Sequence, residues 1–276
     1  MKAIVKRSIF GIVFLAVMLG GLLFHEAAFA ALFLFISGRM LKEFYRMNLK
    51  KALPVMQTGG LLVGIALFVL GYTYYKGDAP LSLFLGGSIL ALLLLLCGAV
   101  LEKEHDDFPK FSFILAGLLY ISLPLALSPA LVFRGGAFSG LLLLSFFIII
   151  WSSDVGAYCL GMLFGQKIWP AKLCPKISPK KSWAGFIGGL LFACLAGAIL
   201  NWTGLLALPM LHCVALAAVM HVFGVFGDLF ESLWKRGAGV KDSGSIIPGH
   251  GGLLDRFDSA LFAIPAACIY LTVIGL

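Results

Sequence analysis

The sequence predicts an all-α polytopic membrane protein of about nine transmembrane helices with its N-terminus in the cytoplasm. Three observations predict it. Mean hydropathy is +1.03 and only 12% of the 276 residues are charged, a balance outside the range of water-soluble domains. Apolar runs of about 17–25 residues recur along the chain, each long enough to cross a hydrocarbon core of about 30 Å. Finally, nearly all of the 21 Lys and Arg fall on one side of the layout that those runs imply.

The expected spans are 8–24, 26–45, 57–75, 81–101, 111–133, 138–165, 184–202, 205–231 and 254–275. Lys2, Lys6 and Arg7 precede the first, and Ala28-Phe29-Ala30 looks like a signal-peptidase site. The run is long and a second begins almost at once, so a retained first helix is expected. Spans one and two form a tight hairpin through His25-Glu26. Glu43, Phe44, Tyr45 and Arg46 read as the interfacial end of span two. The loop 102–110 is a mixed-charge surface segment with no assigned chemistry. Pro124 and Pro129 mark a bend or an end in span five. The pairs Gly60/Gly64, Gly161/Gly165 and Gly185/Gly189 have the spacing of close helix packing. His212 and His221 read as packing residues, and Trp151, Trp169, Trp183, Trp202 and Trp234 as an interfacial belt.

With the N-terminus inside, only Lys76 and Arg134 lie on the outer side, a strong positive-inside bias. The net charge of +8 therefore reports topology and contact with anionic lipid, and no nucleic-acid partner is expected. The six Cys show no CxxC spacing and lie mostly in apolar runs, which fits small core residues better than disulfides or zinc. The chain divides into spans one to five (1–135) and spans six to nine (136–276), the latter with cytoplasmic loops at 166–183 and 232–253.

The most informative stretch is 227–258, GDLFESLWKRGAGVKDSGSIIPGHGGLLDRFD. It carries Asp228, Glu231, Asp242, Asp255 and Asp258 beside Lys235, Arg236, Lys241 and Arg256, with the turn Gly249-His250-Gly251-Gly252. Carboxylates suit Mg²⁺, which takes one or two of them plus substrate phosphates. Open backbone N–H groups at a Gly turn or helix start suit phosphate oxygens. A solvated interhelical loop is the plain alternative. Against it, Asp228 ends one apolar run while Asp255 and Asp258 begin the next, and an ionised group at that depth costs up to about 2.5–3.5 kcal/mol.

A second stretch runs from Trp151 to Gly189. Asp154 follows a long apolar run and must face protein or water if span six is continuous. Five Lys follow between Gln166 and Lys181, and Ser182 is a good N-cap for span seven. Lys181 and the first N–H groups of that span would then meet at one anion site; an amphipathic lipid-facing connector is the alternative.

These stretches resemble the phosphatidate cytidylyltransferase (CDP-diacylglycerol synthase) family. The resemblance rests on Ser232-Leu233-Trp234-Lys235-Arg236, on Lys241-Asp242, and on the run from Pro248 through Gly249-His250-Gly251-Gly252 to Asp255-Arg256-Phe257-Asp258. Gly227 to Ser232, Asp154-x-x-Ala157-Tyr158 and Ser178-Pro179-x-Lys181 look like the family as well. The likeness is close over about 145–260 and general over the nine-span layout. It departs at Trp234, where a smaller apolar residue is usual, at Ala184, where Glu or Gln is expected before Gly185, and at Ser182 in place of Thr.

The resemblance implies transfer of CMP from CTP to phosphatidic acid, giving CDP-diacylglycerol and pyrophosphate with Mg²⁺; a second cation is left open. It implies Asp228 and Asp255 as metal ligands from two helices, with Asp258 and Asp154 as further carboxylates. Lys181, Lys235, Arg236, Lys241 and Arg256 would hold phosphates, Lys181 and Lys241 in catalytic roles, and Ser178, His250, Gly251 and Gly252 would line the substrate site. CTP, phosphatidic acid and the bilayer are the expected partners, and a homodimer is a family expectation only. The expected location is a bacterial-type cytoplasmic membrane with the site facing the cytosol. A CTP-using polyprenol or phytol kinase would move the γ-phosphate onto a hydroxyl and is disfavoured by the length of the motif. A transporter using Asp154, Asp228 and Asp255 as an ion path is disfavoured by the absence of an internal repeat.

Overall fold

The computed structural model describes residues 2–102, 105–165, 168–246 and 251–275. Seven of its helical segments are long and apolar enough to cross a membrane: Pro54–Lys76, Leu81–Ala99, Asp107–Val132, Leu141–Leu163, Trp183–Trp202, Met210–Gly237 and Leu254–Val273. Ahead of them come α1 (Lys2–Leu23), with a shorter apolar stretch Ile9–Leu23, and α2 (Glu26–Leu49). The protein is an all-α polytopic membrane protein carrying one small strand pair. The chain groups into two compact units, Met1–Gly140 with Asp242–Arg256, and Leu141–Lys241 with Phe257–Leu276.

The first unit holds α1, α2, α3 (Pro54–Lys76), α4 (Leu81–Ala99), and a composite rod of α5 (Phe111–Gly117), a π turn (Leu118–Ser122) and α6 (Leu123–Val132). His25 joins α1 to α2 as an N-cap, its Nδ1 accepting the Ala27 N–H at 3.1 Å. In lipid the hydrophobic effect does not favour helix association, so close contact needs small residues. Gly60 provides it: a Cβ there would stand 2.7 Å from the Tyr45 hydroxyl. That hydroxyl, fully enclosed, donates to the Ile114 carbonyl at 3.1 Å. Gly64 likewise faces Ser122 Oγ at 2.6 Å from its would-be Cβ. Helix α4 is the opposite case, with only 6% of its apolar window buried, so its side chains are written for lipid.

The prolines expected to bend or end span five do not end it. The helix widens into the π turn immediately before Pro124, which accommodates a residue without an N–H. Pro129 cannot bond the Leu125 carbonyl one turn back, and Ser128 Oγ donates to that oxygen at 2.6 Å instead.

The second unit contains α7 (Leu141–Leu163), the antiparallel hairpin β1 (Lys172–Cys174) and β2 (Ser178–Ser182), α8 (Trp183–Trp202), α9 (Met210–Gly237) and most of α10 (Leu254–Val273). Helices α7 and α8 touch backbone to backbone. A Cβ on Gly188 would lie 2.7 Å from the Gly156 carbonyl oxygen, and one on Gly185 3.0 Å from that of Ala157. Gly161 faces Gly185 Cα at 3.4 Å from its own would-be Cβ. Ser182 caps α8 as its sequence position predicts, its Oγ accepting the Gly185 N–H at 3.1 Å. Helix α9 starts later and ends later than the expected span 205–231. Pro209 occupies its N-cap, and the charged segment after Phe230 stays helical through side-chain pairs one turn apart.

Candidate active site

The polar residues of the second unit are placed by a close approach of α9 and α10. Gly227 lies against the backbone of Asp258, where a Cβ would overlap the carbonyl oxygen. The Phe230 and Phe262 rings, 5.4 Å apart, continue the seam. Asp228, next in the chain to Gly227, is thereby held within electrostatic reach of Asp258; Glu231 and Asp154 also act on that carboxylate.

Lys181 reaches into this group from the end of β2, its Nζ 2.8 Å from Asp228 Oδ2. Ser232, one turn after Asp228, donates its hydroxyl to Asp228 Oδ1 at 3.4 Å. Glu231 is fully buried and Lys235 answers it at 2.5 Å. Asp258 Oδ1 accepts the Ser259 N–H at 2.7 Å. Asp154 sits past the middle of α7 with its side chain exposed. Four carboxylates are thus gathered with two ammonium groups, leaving negative charge in excess in a partly buried setting. Such a group attracts a hard cation.

The hairpin is the device that delivers Lys181. Its strands pair Lys172 with Ser182 and Cys174 with Ser178, and exposed Arg236 on α9 donates Nε–H to the Ile177 carbonyl at 3.4 Å. Ser178 is half-buried at the start of β2.

In the first unit, Asp255 organises a turn. Its Oδ2 accepts three hydrogen bonds: Ser243 N–H at 2.9 Å, Ser243 hydroxyl at 2.9 Å and Gly252 N–H at 2.7 Å. Gly251 has φ +83°, and a Cβ on it would stand 2.6 Å from that same oxygen, so only glycine fits twice over. Glu43 of α2, 5% exposed, takes the Leu254 N–H on Oε2 at 3.0 Å. Three backbone N–H groups of this turn, those of Ser243, Gly252 and Leu254, are therefore engaged by carboxylates. Arg256, and Lys241 at the edge of the second unit, are exposed. His250 lies outside the described residues, as do 247–249.

Several features have no counterpart in the sequence reading. Glu43 reads there as an interfacial residue, whereas the structure buries it with Arg39, one turn earlier, at 3.6 Å. Glu231 has no role there, and the segment 166–183 reads as an anion site at Lys181 or a lipid-facing connector, without the strand pair that the structure shows. His221, placed among packing residues, is 2% exposed and pairs through Nδ1 with Ser153 Oγ at 2.7 Å, tying α9 to α7.

Among the described residues, no three His, Cys, Asp or Glu side chains close around one cation position. The Asp228–Asp258 neighbourhood instead suits an ion that takes one or two carboxylates and completes its shell with phosphate oxygens and water.

Fold and site define an integral membrane protein with a mixed-charge cluster carried on α7, α9, α10 and the end of β2. The chain belongs to the cytidylyltransferase family, whose model matches residues 5–274. It is 35% identical over 263 residues to the phosphatidate cytidylyltransferase of Staphylococcus epidermidis, covering 94% of both chains. The Bacillus subtilis protein of that name is 35% identical over 255 residues (87% of this chain, 91% of the relative), and the Staphylococcus aureus one 34% over 263 (94% of both).

Proposed function

We propose that this chain is a phosphatidate cytidylyltransferase of phospholipid biosynthesis. A phosphate oxygen of phosphatidic acid attacks the α-phosphorus of CTP. The new P–O bond forms as the bond to the β-phosphate oxygen breaks, giving CDP-diacylglycerol and pyrophosphate. The nucleophile is already largely ionised at neutral pH, so no strong general base is required. What the reaction needs is to bring two polyanions together and to stabilise charge on the leaving pyrophosphate.

The observation that carries this reading is Lys181 held at 2.8 Å from Asp228 beside Asp258. Carboxylates for a cation and an ammonium for phosphate stand in one cluster. Asp228 and Asp258 are the proposed Mg²⁺ ligands there, with Asp154 contributing charge; Asp255 remains a proposed ligand on its motif, its Oδ2 being committed to its own turn. When bound, Mg²⁺ would neutralise phosphate charge and favour departure of pyrophosphate. Lys181, Lys235, Arg236, Lys241 and Arg256 orient the two phosphate groups. Ser178, His250, Gly251 and Gly252 are proposed substrate-binding residues on their motifs. A second cation is not required by this scheme.

The same reading has nine crossings, a cytosolic N-terminus, residues 136–276 as the catalytic region, and loops 166–183 and 232–253 on the cytosolic side, where CTP is available. Cysteine accessibility across intact and opened vesicles tests the orientation, and chemical cross-linking tests a homodimer. The deciding experiment supplies purified protein with phosphatidic acid, Mg²⁺ and CTP labelled at the α- or the γ-phosphate. Label entering chloroform-soluble lipid from the α position alone, with pyrophosphate released, is the expected result. Transfer of only the γ-label to a lipid alcohol would make the protein a kinase.

A further inference from the structure

Glu43 has an unusual position for a residue outside the catalytic motif. It lies on α2, far in sequence from the glycine-rich turn, yet its carboxylate is built into that turn. Burying a carboxylate is costly unless it is hydrogen-bonded, and Glu43 is 5% exposed. Its partners are the Leu254 N–H at 3.0 Å, the Ser243 hydroxyl at 3.5 Å, and Arg39 at 3.6 Å.

The turn is also shaped around it. A Cβ on Gly244 would stand 2.9 Å from Glu43 Cδ, and one on Gly252 2.6 Å from Glu43 Oε2. Two glycines are thus needed where the chain passes over this one carboxylate. Leu254 begins α10, so its N–H is one of the donors that a helix cannot satisfy internally. Glu43 supplies the missing acceptor from another helix, as an N-cap would. Ser243 links the two acids: its hydroxyl lies 2.9 Å from Asp255 Oδ2 and 3.5 Å from Glu43 Oε2.

We infer that Glu43 is a positioning residue for the reaction: it fixes the Gly251–Asp255 turn and, through Ser243, the orientation of the Asp255 carboxylate. This rests on the proposed role of that turn in handling CTP and its cation. Glu43 touches neither substrate; it acts through Leu254, Ser243 and Asp255. Its hydrogen bond needs an acceptor oxygen rather than a negative charge, and so distinguishes Gln from Ala.

The test uses the full chain in detergent, with labelled CTP and Mg²⁺ in equilibrium dialysis, KM and kcat in the lipid-forming assay, and amide hydrogen exchange over 251–258. Glu43→Ala is expected to weaken CTP binding and raise its KM by about tenfold, the scale of one hydrogen bond to a charged acceptor, while exchange at 251–258 accelerates. Glu43→Gln restores affinity to within about threefold, because the amide oxygen still accepts from Leu254. Gly244→Ala displaces the Glu43 carboxylate from the other side and reproduces the Glu43→Ala pattern in part, which keeps the test open if Glu43→Ala fails to fold.

Glu43→Ala and Gly244→Ala with wild-type KM for CTP, and activity reduced only in proportion to folded protein, would overturn the inference. So would a Gln variant no better than Ala. Wild-type protein that binds CTP without forming CDP-diacylglycerol sinks the proposed reaction but leaves the turn's CTP-binding role to be judged by the variants; wild type that does not bind CTP overturns both.

Discussion

Lys181 Nζ lies 2.8 Å from Asp228 Oδ2, with exposures of 23% and 37% for the two side chains. The pair ties the end of the β-hairpin to α9 inside the second unit. A strand end places the ammonium and a helix places the carboxylate, so the pair is set by the fold of the second unit. Asp228→Asn preserves shape and removes the charge. CDP-diacylglycerol formation from labelled CTP should fall by about 100-fold or more, the scale of losing one strong electrostatic contact in a transition state. Thermal unfolding in detergent should shift little. Near-wild-type turnover would remove Asp228 from the reaction.

Glu231 and Lys235 form the most enclosed ion pair of the cluster, with exposures of 0% and 12%. Taking away one partner of a buried pair costs far more than replacing both. Lys235→Ala should lower stability by about 3–5 kcal/mol, read as a fall in Tm in a fixed detergent. Glu231→Met combined with Lys235→Met should recover much of it. If the single variant unfolds at the wild-type temperature, the pair contributes nothing to folding.

The Gly251 backbone is in the left-handed region and its Cα faces Asp255 Oδ2. Gly251→Ala should cost about 1–2 kcal/mol in backbone strain and also push the Asp255 carboxylate off Gly252. Activity should therefore drop further than stability does. Ser182→Ala is a useful contrast: loss of the α8 cap should cost about 1 kcal/mol, with a smaller effect on turnover per folded molecule. Equal ratios of activity to folded fraction in both would contradict this.

Glycines differ sharply in what surrounds them. Gly188 has the Gly156 carbonyl 2.7 Å from its would-be Cβ, while Gly86 on α4 has nothing within 4 Å. Gly188→Leu should prevent α7 and α8 from packing and abolish the folded state in detergent. Gly86→Leu should leave Tm and activity unchanged, since a leucine there enters lipid. Comparable effects at the two positions would show that helix packing is not glycine-limited here.

Spans three to nine, the Ser182 cap and the packing role of Gly60, Gly64, Gly161 and Gly185 were legible because each is a local pattern: apolar length, a hydroxyl before a helix, small residues one turn apart. Asp228, Asp255 and Asp258 stood out in the sequence because acids at membrane depth demand a reason. Glu43 was not, because what makes it special is a turn more than 200 positions later. The hairpin was missed for a related reason. Its strands are three and five residues long, and neither carries an apolar alternation. The extension of α9 past Glu231 depended on side-chain pairs whose strength comes from burial, and a charge pattern alone does not report burial.

The Ser128 hydroxyl that takes over the carbonyl abandoned by Pro129 has a consequence for how this helix can change over time. The two residues are not independent choices. With Pro129 in place, Ser128→Ala strands the Leu125 oxygen in a region without water, at about 1–3 kcal/mol. With an alanine at 129, the ordinary helix bond is available and the hydroxyl becomes dispensable. Substitution at 129 must therefore come first for the pair to drift without loss, so the order of mutations at two adjacent positions is set by a single missing N–H.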